Sequence, residues 1–321
     1  MSIVHDTIYG FVTGDAFGVP VEFMNRERLQ KYPVKDMIGY GSHNVPEGTW
    51  SDDTSMVLAT MDSITQTNGI AYDDMMNRFC NWFYKSQYTG TGKVFDIGIT
   101  TSSSLQKYMS GLIRVEECGQ NTERSNGNGS LMRIIPLALY FNKHDYTDEE
   151  ETEIINNVSA LTHAHEISKV GCKIYVDYIK ELLSGKDKFQ AYDTIRQKDY
   201  SKYYSEESLQ KYSRILKDDI SSLDESEVKS TGYVVYSLEA SLWSALTTDS
   251  YEESIKKAVN LGGDTDTIGA ITGGITGTIY GKNKIPYEWT SKIKNQAYLE
   301  QLCNEFSEAY NYTEGPRKNV R

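Results

Sequence analysis

The chain is poor in the residues that staple or interrupt a fold. Its four cysteines, Cys80, Cys118, Cys172 and Cys303, are widely spaced and form no Cys-x-x-Cys pair. That excludes a disulfide framework and a cysteine zinc site, and it predicts a reducing, cytoplasmic setting. Only six prolines occur, at positions 20, 33, 46, 136, 286 and 316, which leaves room for many uninterrupted helices. Basic residues fall short of acidic ones, 33 Lys+Arg against 45 Asp+Glu, for a formal net charge of −12. Such a balance argues against a nucleic-acid binder working by phosphate neutralisation and against docking on anionic membranes. No stretch approaches the ~18 apolar residues of a membrane-spanning helix. The start of the chain also lacks the basic and apolar regions of a secretion signal. Strand signals are weak: no alternating run is bounded by Asn-Gly or Asp-Gly, and the β-branched stretch 97–101 competes with a helical reading.

What is present is helical spacing. Met56, Val57, Met61 and Ile64 share one side of 52–66. Ile154, Ile155, Val158 and Leu161 do so around 149–160, and Val170, Ile174 and Ile179 along 167–183. Val234, Val235, Leu238, Leu242 and Leu246 mark 233–246, and Ile268, Ile271, Ile275 and Ile279 run down the segment after Asp266. A composition of 39% hydrophobic and 24% charged residues supports a large core and excludes wholesale disorder. The expectation is an all-α fold, one compact domain over 1–321 with roughly a dozen helices. Within it, 122–130 reads as a loop feeding a helix at Leu131. The polar segment 187–229 reads as an exposed helical excursion or a mobile insert.

Chemistry concentrates in a few motifs. Thr49-Trp50-Ser51-Asp52-Asp53-Thr54 and Gly262-Gly263-Asp264-Thr265-Asp266-Thr267 each set two carboxylates and flanking hydroxyls before a helical pattern. Either alone is satisfied by helix N-capping. Two such clusters also supply an all-oxygen donor set suited to Mg²⁺, Mn²⁺ or Ca²⁺, and adjacent carboxylates repel unless a cation lies between them. Gly269, Gly273, Gly274 and Gly277 weaken the last of these helices unless it packs tightly on another backbone. Glu22 follows an apolar run, so it is either a surface residue at a helix end or a carboxyl needing a partner. Asn126-Gly127-Asn128-Gly129-Ser130 is either an ordinary turn or an anion cradle. It is not a dinucleotide-binding fingerprint, and Thr91-Gly92-Lys93-Val94 is not a P-loop. His163 and His165, two apart, do not form a zinc pair; a cleft-lining histidine and a structural one remain open for His163.

Taken in order, six motifs resemble the ADP-ribosylglycohydrolase family. They are Gly14-Asp15-x-x-Gly18-x-x-x-Glu22, Ser51-Asp52-Asp53-Thr54, Phe95-Asp96-Ile97-Gly98, Gly127-Asn128-Gly129-Ser130-Leu131-Met132-Arg133, Thr162-His163 and Gly262-Gly263-Asp264-Thr265-Asp266-Thr267. The similarity runs from about Ile3 to about Ile293 and takes in Gly232-Tyr233-Val234-Val235 and Ile285-Pro286-Tyr287-Glu288-Trp289. Ser51 stands where threonine is common, which keeps the hydroxyl.

The resemblance implies an all-α fold around a cleft with two Mg²⁺ or Mn²⁺ ions. Ser51, Asp52 and Asp53 would bind from one side and Asp264, Asp266 and Thr267 from the other. Glu22 would sit beside them as ligand or acid/base group, and Glu22, Asp53 and Asp96 would be the catalytic carboxylates. Asp96, Gly98, Gly127, Asn128, Gly129, Ser130, Met132, His163 and Tyr233 would contact substrate. The implied reaction is hydrolysis of the glycosidic bond between ADP-ribose and an acceptor, with arginine favoured over serine and other O-linked acceptors. The implied partner is an ADP-ribosylated protein or small molecule, with no membrane and no constitutive nucleic acid, and the chain is expected to be a monomer. Two rival readings use the same carboxylates: a two-metal phosphoanhydride hydrolase, and a silent ADP-ribose-binding protein.

Overall fold

The computed structural model describes residues 2–312. Among these residues there are sixteen α-helices, nine short 3₁₀ turns and no sheet, only three isolated bridges. The five periodic segments are helices Asp52–Thr67, Asp148–Ala160, Glu166–Leu183, Val234–Leu246 and Thr265–Tyr280. The stretch 97–101 resolves as the start of helix Ile99–Met109, capped by Gly98. Sixteen exceeds the expected dozen because four of the helices, Arg26–Lys31, Glu206–Lys211, Ser213–Lys217 and Tyr287–Thr290, have six residues or fewer. The loop 122–130 does feed Leu131, but through a single 3₁₀ turn, Leu131–Arg133, before helix Ile135–Phe141 begins.

Two glycine-rich helices form the centre. Helix Ile3–Gly18 lies along helix Thr265–Tyr280, with both almost wholly buried. Their glycines interlock: a Cβ on Gly10 would come 2.3 Å from the Gly273 carbonyl oxygen, and one on Gly14 would come 2.1 Å from that of Gly269. Backbone therefore touches backbone, which sets the register of the two helices. The ~1 kcal/mol of helix propensity lost at each glycine is offset by this close contact. The seam delivers the end of the first helix, Gly18, against Thr265, at the start of the second.

The segment 187–229 is neither exposed throughout nor unstructured. It carries helices Lys188–Gln197, Glu206–Lys211 and Ser213–Lys217, and its tyrosines point inward. Tyr192 donates to the Ile215 carbonyl (2.8 Å), Tyr204 to Asn156 Oδ1 (2.8 Å) and Tyr212 to the Ile167 carbonyl (2.7 Å). A tyrosine buries a large ring and needs only one partner for its hydroxyl, so a Tyr-rich segment packs like an apolar one. Among the described residues no helix is long and apolar enough to cross a membrane.

Candidate functional site

The seam brings the two acidic clusters together with Glu22. Ser51 is the N-cap of helix Asp52–Thr67: its hydroxyl oxygen accepts from the Asp53 N–H at 3.2 Å. Asp264 is at the N-cap of helix Thr265–Tyr280 but makes no capping bond with its side chain. Instead Asp264 Oδ2 accepts from Asn128 Nδ2 at 2.6 Å. The capping explanation thus covers Ser51 and leaves the carboxylates of Asp52, Asp53 and Asp264 over. Across the gap, Thr267 Oγ1 and Ser51 Oγ both donate to Asp53 Oδ2, each at 3.2 Å. Residues 214 positions apart therefore meet on one carboxylate.

Glu22 joins them. Its carboxylate, with those of Asp264 and Asp266, offers oxygens that all lie within 4.8 Å of one another. Glu22, Asp52, Asp53 and Asp266 are buried, with Asp266 0% and Asp53 1% exposed, and Asp264 is half-buried. Asp53 Oδ1 and Asp266 Oδ2 have no hydrogen-bond partner, an expensive arrangement for buried carboxylates. Burial, then the charges of neighbouring acids, push Asp52, Asp53 and Asp266 well above the usual carboxylate range. Burial raises Asp264 as well. Glu22 is pushed up to about 11 by burial and by Asp96 and Asp264. Burial and like charge thus favour the protonated forms in the metal-free cluster. An all-oxygen donor set with two orphaned oxygens fits hard divalent cations, which would replace those protons.

Two residues at this site were given no role from the sequence. Asp15, fully buried in the first helix, accepts from the N–H groups of Ser51 (3.1 Å) and Thr54 (3.1 Å) and from the Thr54 hydroxyl (2.5 Å). It binds the start of helix Asp52–Thr67 to the first helix. Its own carboxyl is raised by burial to about 7 despite these bonds. His43 pairs through Nε2 with Glu22 Oε2, and Asp96 offers an oxygen to the same group. Burial, ahead of all else, lowers the His43 pKa. No spacing in the sequence announces this contact.

The remaining residues read as substrate contacts divide in two. Asp96 (φ 55°) stands beside Glu22, and Gly98 is exposed at the helix start that follows. Gly127 bridges to Tyr233, and Asn128 links Asp264 to Ser237 Oγ. The others face inward. Ser130 Oγ accepts from Ser159 in the core, and the Met132 side chain is buried. His163 lies behind the loop: its ring would be 2.7 Å from a Cβ on Gly129, and Thr162 Oγ1 bonds its Nδ1 at 2.8 Å. Burial, with help from Arg133, lowers its pKa to about 3, so it is a neutral prop for the glycine loop.

The sequence profile described as ADP-ribosylglycohydrolase matches residues 2–316. An ADP-ribosylarginine hydrolase Tri1 from Serratia proteamaculans is 27% identical over 304 residues, 93% of this chain and 77% of that protein. An ADP-ribosyl-[dinitrogen reductase] glycohydrolase from Rhodospirillum rubrum is 26% identical over 296 residues, 90% and 91% of the two chains. A solved ADP-ribosylglycohydrolase-related protein complex superposes with a TM-score of 0.80 at 26% identity, covering 96% of this chain and 98% of that one. With the profile spanning nearly the whole chain and the fold shared at this level, this protein belongs to the ADP-ribosylglycohydrolase family and is a hydrolase.

Proposed function

We propose that the protein removes ADP-ribose from an acceptor by cleaving the glycosidic bond at the distal ribose, with arginine-linked ADP-ribose as its substrate. The observation that carries this reading is the acidic cluster, with buried oxygens of Asp53 and Asp266 left unpartnered. Ser51, Asp52, Asp53, Asp264, Asp266 and Thr267, with Glu22 beside them, would hold two Mg²⁺ ions. When bound, the ions supply positive charge that orients ribose hydroxyls and makes water more acidic.

The chain's own groups do the rest. Cleavage passes through an oxocarbenium-like state, which the surrounding carboxylates stabilise. Water adds its oxygen to the anomeric carbon as the bond to the acceptor nitrogen breaks. Its surplus proton goes to a carboxylate, and the departing nitrogen takes one from an acidic group. Glu22 is the acid/base candidate, because its burial favours the protonated form and His43 fixes its orientation. The Gly127-Asn128-Gly129 backbone, held by His163 packed against both glycines, would receive the pyrophosphate.

Incubation with Mg²⁺ and peptides ADP-ribosylated on arginine or on serine tests this directly. Release of intact ADP-ribose from the arginine peptide is expected. Release of AMP or phosphate would move the assignment to phosphoanhydride hydrolysis. Tight ADP-ribose binding without turnover would make the protein a silent binder.

A further inference from the structure

Aromatic surface occurs at two places beside the acidic floor. One is the Tyr233–Tyr236 pair, edge-on at 5.0 Å between ring centroids, attached to the glycine loop through the Gly127–Tyr233 bridge. The other lies on the Glu22 side. There the His43 ring stands between Phe95, 5.0 Å away, and Phe23, 5.9 Å away. Glu22 and Asp96 offer carboxylate oxygens to the same spot.

Phe23 is out of place by every packing rule. It is 71% exposed, directly follows a buried glutamate, and has φ 63°, a left-handed conformation that a bulky residue rarely adopts. The fold holds it there: its N–H donates to the Gly263 carbonyl at 2.7 Å, and the Gly263 N–H donates to the Met24 carbonyl at 2.8 Å. The ring is thus anchored to the Gly262-Gly263 turn that leads into Asp264. Asp96, on the far side of Phe95, is also left-handed. Strain gathered at an exposed ring and at a carboxylate around one spot is a mark of a binding surface.

We propose that Phe23, His43 and Phe95 form the acceptor platform of the cleft, and that it takes a planar guanidinium. This rests on the glycohydrolase reading given above. The flat cation would lie against the exposed ring of Phe23, with its N–H edge turned to the carboxylate of Asp96. Aromatic face plus carboxylate is the environment that suits a guanidinium and does little for a serine hydroxyl. The nearby cation Lys93 is exposed to solvent, and the net charge of −12 also favours a positive acceptor. The pyrophosphate cradle and Tyr233 occupy the other side, which assigns the adenosine half of the substrate there and the acceptor half here.

Phe23→Leu and Phe23→Tyr, with Mg²⁺, are the variants to compare with the unaltered protein. Three quantities are read: kcat/KM on an ADP-ribosylated arginine peptide, the inhibition constant of free ADP-ribose, and the melting temperature. Losing the ring in Phe23→Leu should lower kcat/KM about tenfold, within the range of ring–cation contacts. Phe23→Tyr should keep it, and ADP-ribose inhibition and melting temperature should not move in either variant. An unchanged kcat/KM in Phe23→Leu overturns the platform. So does an equal loss of ADP-ribose affinity, which would put the ring on the nucleotide side. Cleavage of a serine-linked peptide with none of the arginine-linked one would overturn the guanidinium preference and leave glycohydrolysis standing. Cleavage of neither peptide would remove the glycohydrolase reading itself, and the platform with it.

Discussion

Two clusters of carboxylates in this molecule are neutralised in different ways. Around Asp148, Glu151 and Asp177 the chain supplies its own cations. Lys173, fully buried, contacts Asp148 at 2.7 Å and Asp177 at 2.8 Å; Lys198 reaches Asp177 at 2.9 Å; Lys180 pairs with Glu151. Tyr200 and Tyr203 add hydrogen bonds to Asp177 and Asp148. Around Glu22, Asp52, Asp53, Asp96, Asp264 and Asp266 no lysine or arginine makes an ion pair among the described residues, and the basic group in contact there is His43, on Glu22. Both clusters contain three acids whose oxygens lie within 4.8 Å, so proximity alone does not tell them apart. The counter-ion does. A cluster with built-in lysines is a structural knot that clips 187–229 to the core. A cluster without them is stable only with protons or with cations from solution.

Breaking the open cluster should have the largest consequence. Asp266→Asn keeps the shape of the side chain, and its effect should fall on catalysis, by on the order of 10³-fold in kcat/KM, with the melting temperature in EDTA unchanged or raised. A variant with full activity would take Asp266 out of the site. Breaking the closed cluster should do the reverse. Lys173→Met takes one lysine from the buried Asp177 and the half-exposed Asp148, leaves Lys198 on both, and should destabilise the protein by about 1–3 kcal/mol in denaturant titration. The molecules that remain folded should keep their activity and their response to Mg²⁺.

The clusters should also answer pH with opposite signs. Burial raises the Asp148 carboxyl, but hydrogen bonds and charge from Lys173 and Lys198 outweigh it and hold the pKa below the usual range. A depressed folded pKa gives stability that is present above the unfolded value, about 3.9, and is lost as pH falls below it. The open cluster is raised, first by burial and then by like charge. Its contribution in metal-free protein is present below about 4 and lost as pH rises from there toward neutrality. Denaturation midpoints in EDTA should therefore fall from mildly acidic pH to pH 8, and saturating Mg²⁺ should flatten that slope. A metal-free midpoint that climbs over this range would contradict the open cluster's charge balance.

The difference between the clusters was only partly legible in the sequence. The five periodic helices could be read because a 3.6-residue apolar stripe leaves a regular trace. The seam was half legible: glycines in 265–280 demand a close neighbour, but nothing local names Gly10 and Gly14 as that neighbour. The acids of the open cluster stood out because two motifs repeat one chemistry. Those of the closed cluster did not, since Asp148, Asp177, Lys173 and Lys198 come from separate segments and look like ordinary surface charges until the fold joins them. The inward tyrosines of 187–229 misled for a related reason, since composition counts their hydroxyls and overlooks their rings. His43 reaches Glu22 through a loop, at a separation that no helical or strand period encodes.

Completion of the open cluster by divalent cations has a direct thermal signature. Melting curves of the intact protein in EDTA and in rising Mg²⁺ address it with the fewest assumptions. The melting temperature should rise with Mg²⁺ by several degrees, corresponding to about 2.7 kcal/mol at a hundredfold excess over the dissociation constant, and Asp266→Asn should blunt the rise. A melting temperature that ignores both Mg²⁺ and EDTA would mean that Asp53 and Asp266 carry no ion, and the enzymatic account would fail with them.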